Sequence, residues 1–189
     1  IDLPATLVAE KPIAAVAWIH RKNTIRLLNN TGLVQFSQLD DGTIRYACIE
    51  GIDPLGWAGD VDADLLDGTP ATPRQWQQQT AGLDYADFPA QLVSYFHARR
   101  AGDLIVLADG NFDFRARNRA GHGSIDAAEL HVPLLMAGPG IDPAGTVADS
   151  PRSLDLYATI LMLMDKTDVD TGESQLIVQP LPPLAEDQD

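Results

Sequence analysis

One cysteine, Cys48, is present among 189 residues, so no internal disulfide can staple the chain. It sits in "IRYACIEGI", where the apolar neighbours make it a small core side chain rather than a nucleophile. Basic residues are scarce: Lys and Arg total 13 against 27 Asp and Glu, a formal charge of -14. Such a charge repels phosphate backbones and excludes non-specific nucleic-acid binding. Aromatic residues make up only 6%, and no apolar run approaches the roughly 18 residues of a membrane span. The first residues, "IDLPATLVAEKP", carry neither a basic start nor a cleavage site, and no initiator methionine. The chain thus reads as soluble, either a mature product or a piece of something longer. What remains is ordinary for a folded domain: 45% hydrophobic, 21% charged, and long enough to bury a real core.

From Ile13 to Glu50 apolar runs alternate with turn signals: "IAAVAWIH", "TIRLLNN", "GLVQFSQL" and "TIRYACIE", separated by "RKN", "NNTG" and "DDG". Asn, Asp and Gly tolerate the positive φ of tight hairpins, so this pattern predicts an antiparallel meander. The nearly continuous "IAAVAWI" predicts a strand buried on both faces. Gly51 to Thr72 is rich in Gly, Pro and Asp without a sustained period and reads as a connection. Its "DVDAD" resembles a calcium loop but has no glycine or glutamate at the required offsets, so a solvated acidic turn is expected. Thr72 as N-cap and Pro73 at the first position start one helix that Gly82 ends. "FPAQLVSYFHARRAG" is a second, with Leu92, Val93 and Phe96 on one face and arginines in its last turn. His97, at that basic end, is expected to be exposed or charge-complementing.

"DLIVLADG" and "HVPLLMAGPG" then read as two core strands of an α/β sheet, and "SLDLYATILMLMD" as an amphipathic helix covering them. The tail "QPLPPLAEDQD" is Pro-rich and acidic and is expected to be extended.

Open α/β sheets bind ligands past the carboxyl ends of their strands. That rule singles out Asp109, Gly110, Asn111 and Asp113, and, at the far end of the same loop, His122 between Gly121 and Gly123. Minimal neighbours let the backbone there approach another element or an ion. Asp126 and Glu129 follow, and any of these carboxylates can join a histidine around a metal. Arg115, Arg117 and Arg119 alternate in "FRARNR", which on an extended segment places three guanidinium groups on one face, as an anion site or as a solvated ion-paired strand. His131, at the mouth of the second apolar run, is expected to be structural.

In this order, "AGDLIVLAD", "GHGS", "HVPLLMAGPGI" and "SLDLYATIL" resemble the C-terminal end of the alkaline phosphatase superfamily, especially its type I phosphodiesterase and nucleotide pyrophosphatase branch. There a late strand is followed by an "HGS"-like turn, a "VPLL" strand, a "GPGI" turn and a final helix. "GIDPLG" and "FPAQLVSYFHARRAGD" are similar to the segment that precedes these in bacterial members. The resemblance spans roughly Asp53 to Met164 and is most specific from Gly121 to Ile141.

The resemblance implies a pair of divalent metals, usually zinc, bridging a phosphate or sulfate ester beside a Thr or Ser nucleophile. Carried onto this chain, it makes His122 a metal ligand. No other family ligand can be placed: the nucleophile motif, an early Asp, a middle Asp and His pair and a "DHG" motif belong to an N-terminal half not found here. "ADG" at Ala108 to Gly110 has no histidine, so Asp109 is not assigned as a ligand. The expected fold is α/β, a partial alkaline-phosphatase-like α/β sheet with an N-terminal antiparallel β meander. Residues 1–52 would form the meander as a cap-like or insert region, 53–175 the C-terminal α/β portion, and 176–189 an extended acidic tail. The expected function is that of the C-terminal portion of a metal-dependent phosphoesterase, catalytically incomplete alone, acting on a phosphate ester in the complete protein. Exposed strand edges would favour a homo-oligomer or association with the missing N-terminal half. Two alternatives stand: a non-catalytic anion-binding or assembly module, and a self-contained hydrolase using Asp109, His122 and neighbouring carboxylates.

Overall fold

Four consecutive strands obey the turn signals between them: β1 (Ile13–Arg21), β2 (Thr24–Leu28), β3 (Gly32–Gln38) and β4 (Ile44–Gly51) pair antiparallel in sequence order. A fifth, β5 (Leu104–Ala108), joins antiparallel on the far side of β1, which gives the sheet order β4-β3-β2-β1-β5. This computed structural model describes residues 2–110, 112–114, 125, 127–143, 145–147, 150–166, 168, 170–172 and 174–178. The architecture is mixed α/β with an N-terminal β meander. The chain divides into two units, Ile1–Val132 and Pro133–Asp189.

In the first unit the two-residue period of the strands selects the core. Ala15, Ala17, Ile25, Leu27, Val34, Phe36, Ile44 and Tyr46 all fall on one face and are buried. Against them pack α3 (Pro73–Thr80) and α4 (Phe88–His97), with Trp57 and the Leu55 turn filling the gap. Trp57 and Trp76 lie 5.9 Å apart in a tilted pair beside Tyr46, and Phe36 meets Phe88 edge-on at 6.0 Å. Few in number, the aromatics are gathered here, each buried ring contributing about 2–3 kcal/mol by area alone. α1 (Leu3–Val8) lies against β1, which is why Val16 is buried as well as its two alanine neighbours. The other face of β2 and β3 is polar: Arg26 Nε donates to Gln35 Oε1 at 3.3 Å, and Gln35 donates on to Ser37 at 3.3 Å.

Turns and helix starts follow local chemistry. Asp41 Oδ1 accepts the Thr43 hydroxyl and amide, bonds that hold its carboxyl below the ordinary range. Thr72 and Gln75 form a reciprocal capping box, and Pro73 occupies the first helical position. Trp76 Nε1 donates to the Ile44 carbonyl at 2.9 Å, which ties α3 to β4. The connection after β4 contains one further short helix, α2 (Ala63–Leu66), started by the Asp62 carboxylate.

Three local expectations fail. Cys48 is exposed rather than in the core, because β4 shifts register beside it and ends at the sheet margin. α4 stops at His97, with Arg99 and Arg100 beyond it, because Ala98 turns to extended backbone. Residues 131–137 form no strand: Val132 is 74% and Leu135 93% exposed, and among the described residues no strand pairs with this backbone. α5 (Ala127–Leu130) precedes that stretch.

In the second unit, Gly138 and Gly140 both take positive φ in the "GPG" turn, which Ile141 N closes on the Gly138 carbonyl at 3.3 Å. α6 (Ser153–Leu163) buries a polar face. Asp155 accepts from Arg152 N and Gln175 N, and Thr159 donates to the Asp155 carbonyl while accepting from Ile177 N. Its exposed side carries Leu154, Tyr157 and Ile160, with Met164 just past its end. No helix among the described residues is long and apolar enough to cross a membrane.

Candidate functional site

β5 delivers the chain to the region singled out by the strand-end rule. Its last residue pairs with Ile13, and Asp109 N donates to the Pro12 carbonyl at 3.0 Å, extending the pairing by one step. The chain then turns, Phe112 N donating to the Asp109 carbonyl at 2.8 Å, and exposes Phe112 and Phe114. Asp109 is half-buried beside exposed Gly110 and Asp113. The remaining sequence candidates, Asn111, Arg115, Arg117, Arg119, His122 and Asp126, lie outside the described residues.

The chain returns at Ile125, and its re-entry is anchored by a loop that sequence reasoning did not single out. Tyr85 N donates to the Ile125 carbonyl at 3.2 Å, and Ala127 N donates to Asp84 Oδ1 at 3.0 Å. Ile125 packs on the core, whereas Glu129, one turn on, is exposed. The Asp84 side acts as a cap for α5 supplied from 43 residues away, a separation at which no local pattern signals the pairing.

That loop is strained and braced. Tyr85 and Asp87, neither a glycine, adopt φ of 62° and 55°, each a departure of about 1–3 kcal/mol that persists only where neighbours enforce it. Thr80, 0% exposed, donates Oγ1 to the Trp76 carbonyl at 2.7 Å and accepts Asp87 N at 2.8 Å. Trp57 Nε1 donates to the Asp84 carbonyl at 3.2 Å, and Gln91 Nε2 to the Ala86 carbonyl at 2.9 Å. The strained segment is therefore fixed by three side chains, Thr80 and Trp57 from the core and the exposed Gln91 from outside it.

A second polar device lies at the base of the core. Tyr46, 1% exposed, donates its hydroxyl to Asp53 Oδ1 at 2.6 Å, and the same carboxylate accepts Leu55 N at 2.9 Å and Trp57 N at 3.0 Å. Burial, then the hydrogen bond and charge of Asp53, push the phenol well above its ordinary range. It stays neutral and serves as a donor, and the group shapes the "DPLGW" turn over the tryptophans.

His97 and His131 are both exposed, on the last residue of α4 and just past α5, and among the described residues neither joins a metal-holding group with carboxylates. Among the described residues no group of three or more His, Cys, Asp or Glu side chains is gathered to hold a metal ion. Asp109, Asp113 and Glu129 by themselves form no ligand set. No protein-family model, curated protein or solved structure matches this chain.

Proposed function

We propose that this chain is the C-terminal portion of a metal-dependent phosphoesterase akin to the alkaline phosphatase superfamily, and that it is catalytically incomplete by itself. One observation carries the reading: "LIVLAD", "GHGS", "HVPLLMAGPGI" and "SLDLYATIL" stand in this order along the chain, and together they resemble the C-terminal end of that family. Two structural features support it, a strand at "LIVLA" and a helix starting at "SLD". His122 serves as one metal ligand, with zinc the expected metal and a phosphate ester the substrate. The metal pair, when bound, acts as a Lewis acid and stabilises charge in an in-line displacement. In this reading the chain supplies His122 to that pair.

The test uses zinc and aryl phosphate mono- and diesters. The chain alone should give no turnover. The protein extended by whatever its coding sequence supplies upstream should contain a Thr or Ser nucleophile and a "DHG", and should lose activity on His122→Ala. Robust turnover by the chain alone, abolished by His122→Ala, would overturn incompleteness, and an extended protein indifferent to that substitution would overturn the ligand role.

The second reading, an assembly module, is favoured by one observation: the outer edge of β5 has no strand partner among the described residues. It expects association with a missing half or a second copy, and light scattering that shows a clean monomer at high concentration counts against the self-association form.

A further inference from the structure

Acids outnumber bases by 27 to 13 in this chain, so a surface arginine has carboxylates to pair with. The outer face of the meander departs from that balance. Strand register puts Trp18, Arg26, Gln35 and Ala47 in one row across β1 to β4, and Arg21, Thr24, Ser37 and Arg45 in the next. Ile25, Phe36 and Tyr46, which alternate with these residues along the strands, are buried in the core, so both rows lie on the opposite face. Among the described residues Arg21, Arg26 and Arg45 form no ion pair. Arg21 and Arg26 are diagonal neighbours, about 7–8 Å apart, where like charges repel. Both are nonetheless held in place: Arg21 Nε donates to Oγ1 of Thr24, itself 4% exposed, at 3.4 Å, and Arg26 Nε to Gln35 Oε1 at 3.3 Å. Each bond uses Nε and leaves the terminal nitrogens of the fork to an outside acceptor.

We propose that this face is a binding site for a small molecule that carries two phosphate groups. Guanidinium forks match phosphate oxygens bidentately, and a dianion between Arg21 and Arg26 turns their repulsion into shared attraction. Arg21 and Arg45 stand on β1 and β4, three strand spacings or about 14 Å apart, with Arg26 between them on β2. Two phosphates fill such a span better than one. Half-buried Trp18, directly opposite Arg26, supplies apolar surface for the uncharged part of the ligand.

Isothermal titration calorimetry on the whole chain tests this, with inorganic pyrophosphate and inorganic phosphate as probes, at low salt and in EDTA. The chelator keeps metal out, so the outcome is independent of the role of His122. The parent should bind pyrophosphate at least about tenfold more tightly than phosphate, because more forks are engaged. Arg26→Gln and Arg45→Gln should each weaken pyrophosphate about tenfold, as for loss of one charge-assisted bond. Arg45 is exposed, so its replacement tests the site even where Arg26→Gln disturbs the sheet. Arg99→Gln and Arg117→Gln remove the same charge elsewhere in the chain and should stay within about twofold of the parent. Pyrophosphate binding no tighter than about 1 mM in the parent overturns the site. So does an equal loss in Arg99→Gln or Arg117→Gln, which would make the attraction one of net charge or of the arginine loop. Equal affinity for the two probes overturns the assignment of two phosphate groups.

Discussion

Replacing Asp53 by Ala should be among the most damaging single changes away from the apolar core, and its size can be worked from three contacts. The carboxylate accepts the Tyr46 hydroxyl, Leu55 N and Trp57 N at 2.6, 2.9 and 3.0 Å. Hydrogen bonds to a charged acceptor contribute about 1.5–3 kcal/mol each when water cannot substitute. Water cannot reach the Tyr46 hydroxyl, whose residue is 1% exposed, so that bond counts in full. The two amides belong to Leu55 and Trp57, themselves 6% and 1% exposed, so each loses about 1 kcal/mol when its acceptor goes. The expected destabilisation is therefore about 3.5–5 kcal/mol, a large part of a typical domain's 5–15 kcal/mol. Urea unfolding followed by tryptophan fluorescence is the assay, since buried Trp57 and Trp76 lie on this turn and beside it. With an m of about 2 kcal/mol/M the midpoint should fall by about 1.7–2.5 M at unchanged slope. Asp53→Asn should cost less, about 1–2 kcal/mol, because one oxygen still accepts from Tyr46 while the new amide faces the Trp57 N–H. A midpoint within about 0.3 M of the parent for Asp53→Ala would refute the reasoning and mean that the phenol finds another acceptor.

Tyr46→Phe should flatten the alkaline arm of the stability profile. The folded phenol titrates above the unfolded value of about 10, so its contribution is complete below that pH. It is lost as pH rises further, because the unfolded chain ionises where the folded one does not. The parent should lose about 1.4 kcal/mol per pH unit more than the variant above pH 10, and equal urea midpoints against pH for both would refute this. Gly32→Ala places a Cβ 2.2 Å from the Ile52 carbonyl oxygen and 2.5 Å from that of Glu50. Both are backbone atoms that cannot swing aside, so a loss of about 2 kcal/mol or more is expected, or about 5 °C in thermal midpoint. An unchanged midpoint would mean that the β3 and β4 ends separate freely.

The sequence by itself determined the meander, the second strand group's first member and the principal helices, because each is written in local terms. Alternation puts Val34 and Phe36 on one face, Asp and Gly place the turns, and Thr72 with Pro73 starts a helix wherever it is met. Only tertiary structure decided the rest. "HVPLLMAG" has the composition of a strand, but a strand exists only where another strand pairs with it, and among the described residues none does. α6 has the composition of a covering helix, yet Asp155 and Thr159 turn inward because the amides of Gln175 and Ile177 come to meet them. Asp84 looks like any loop acid until the fold brings Ala127 to it. His122 was legible as a candidate from its glycine neighbours, whereas the loop that holds the chain beside it was not, since hydrogen bonds between distant segments leave no periodicity for a sequence to display.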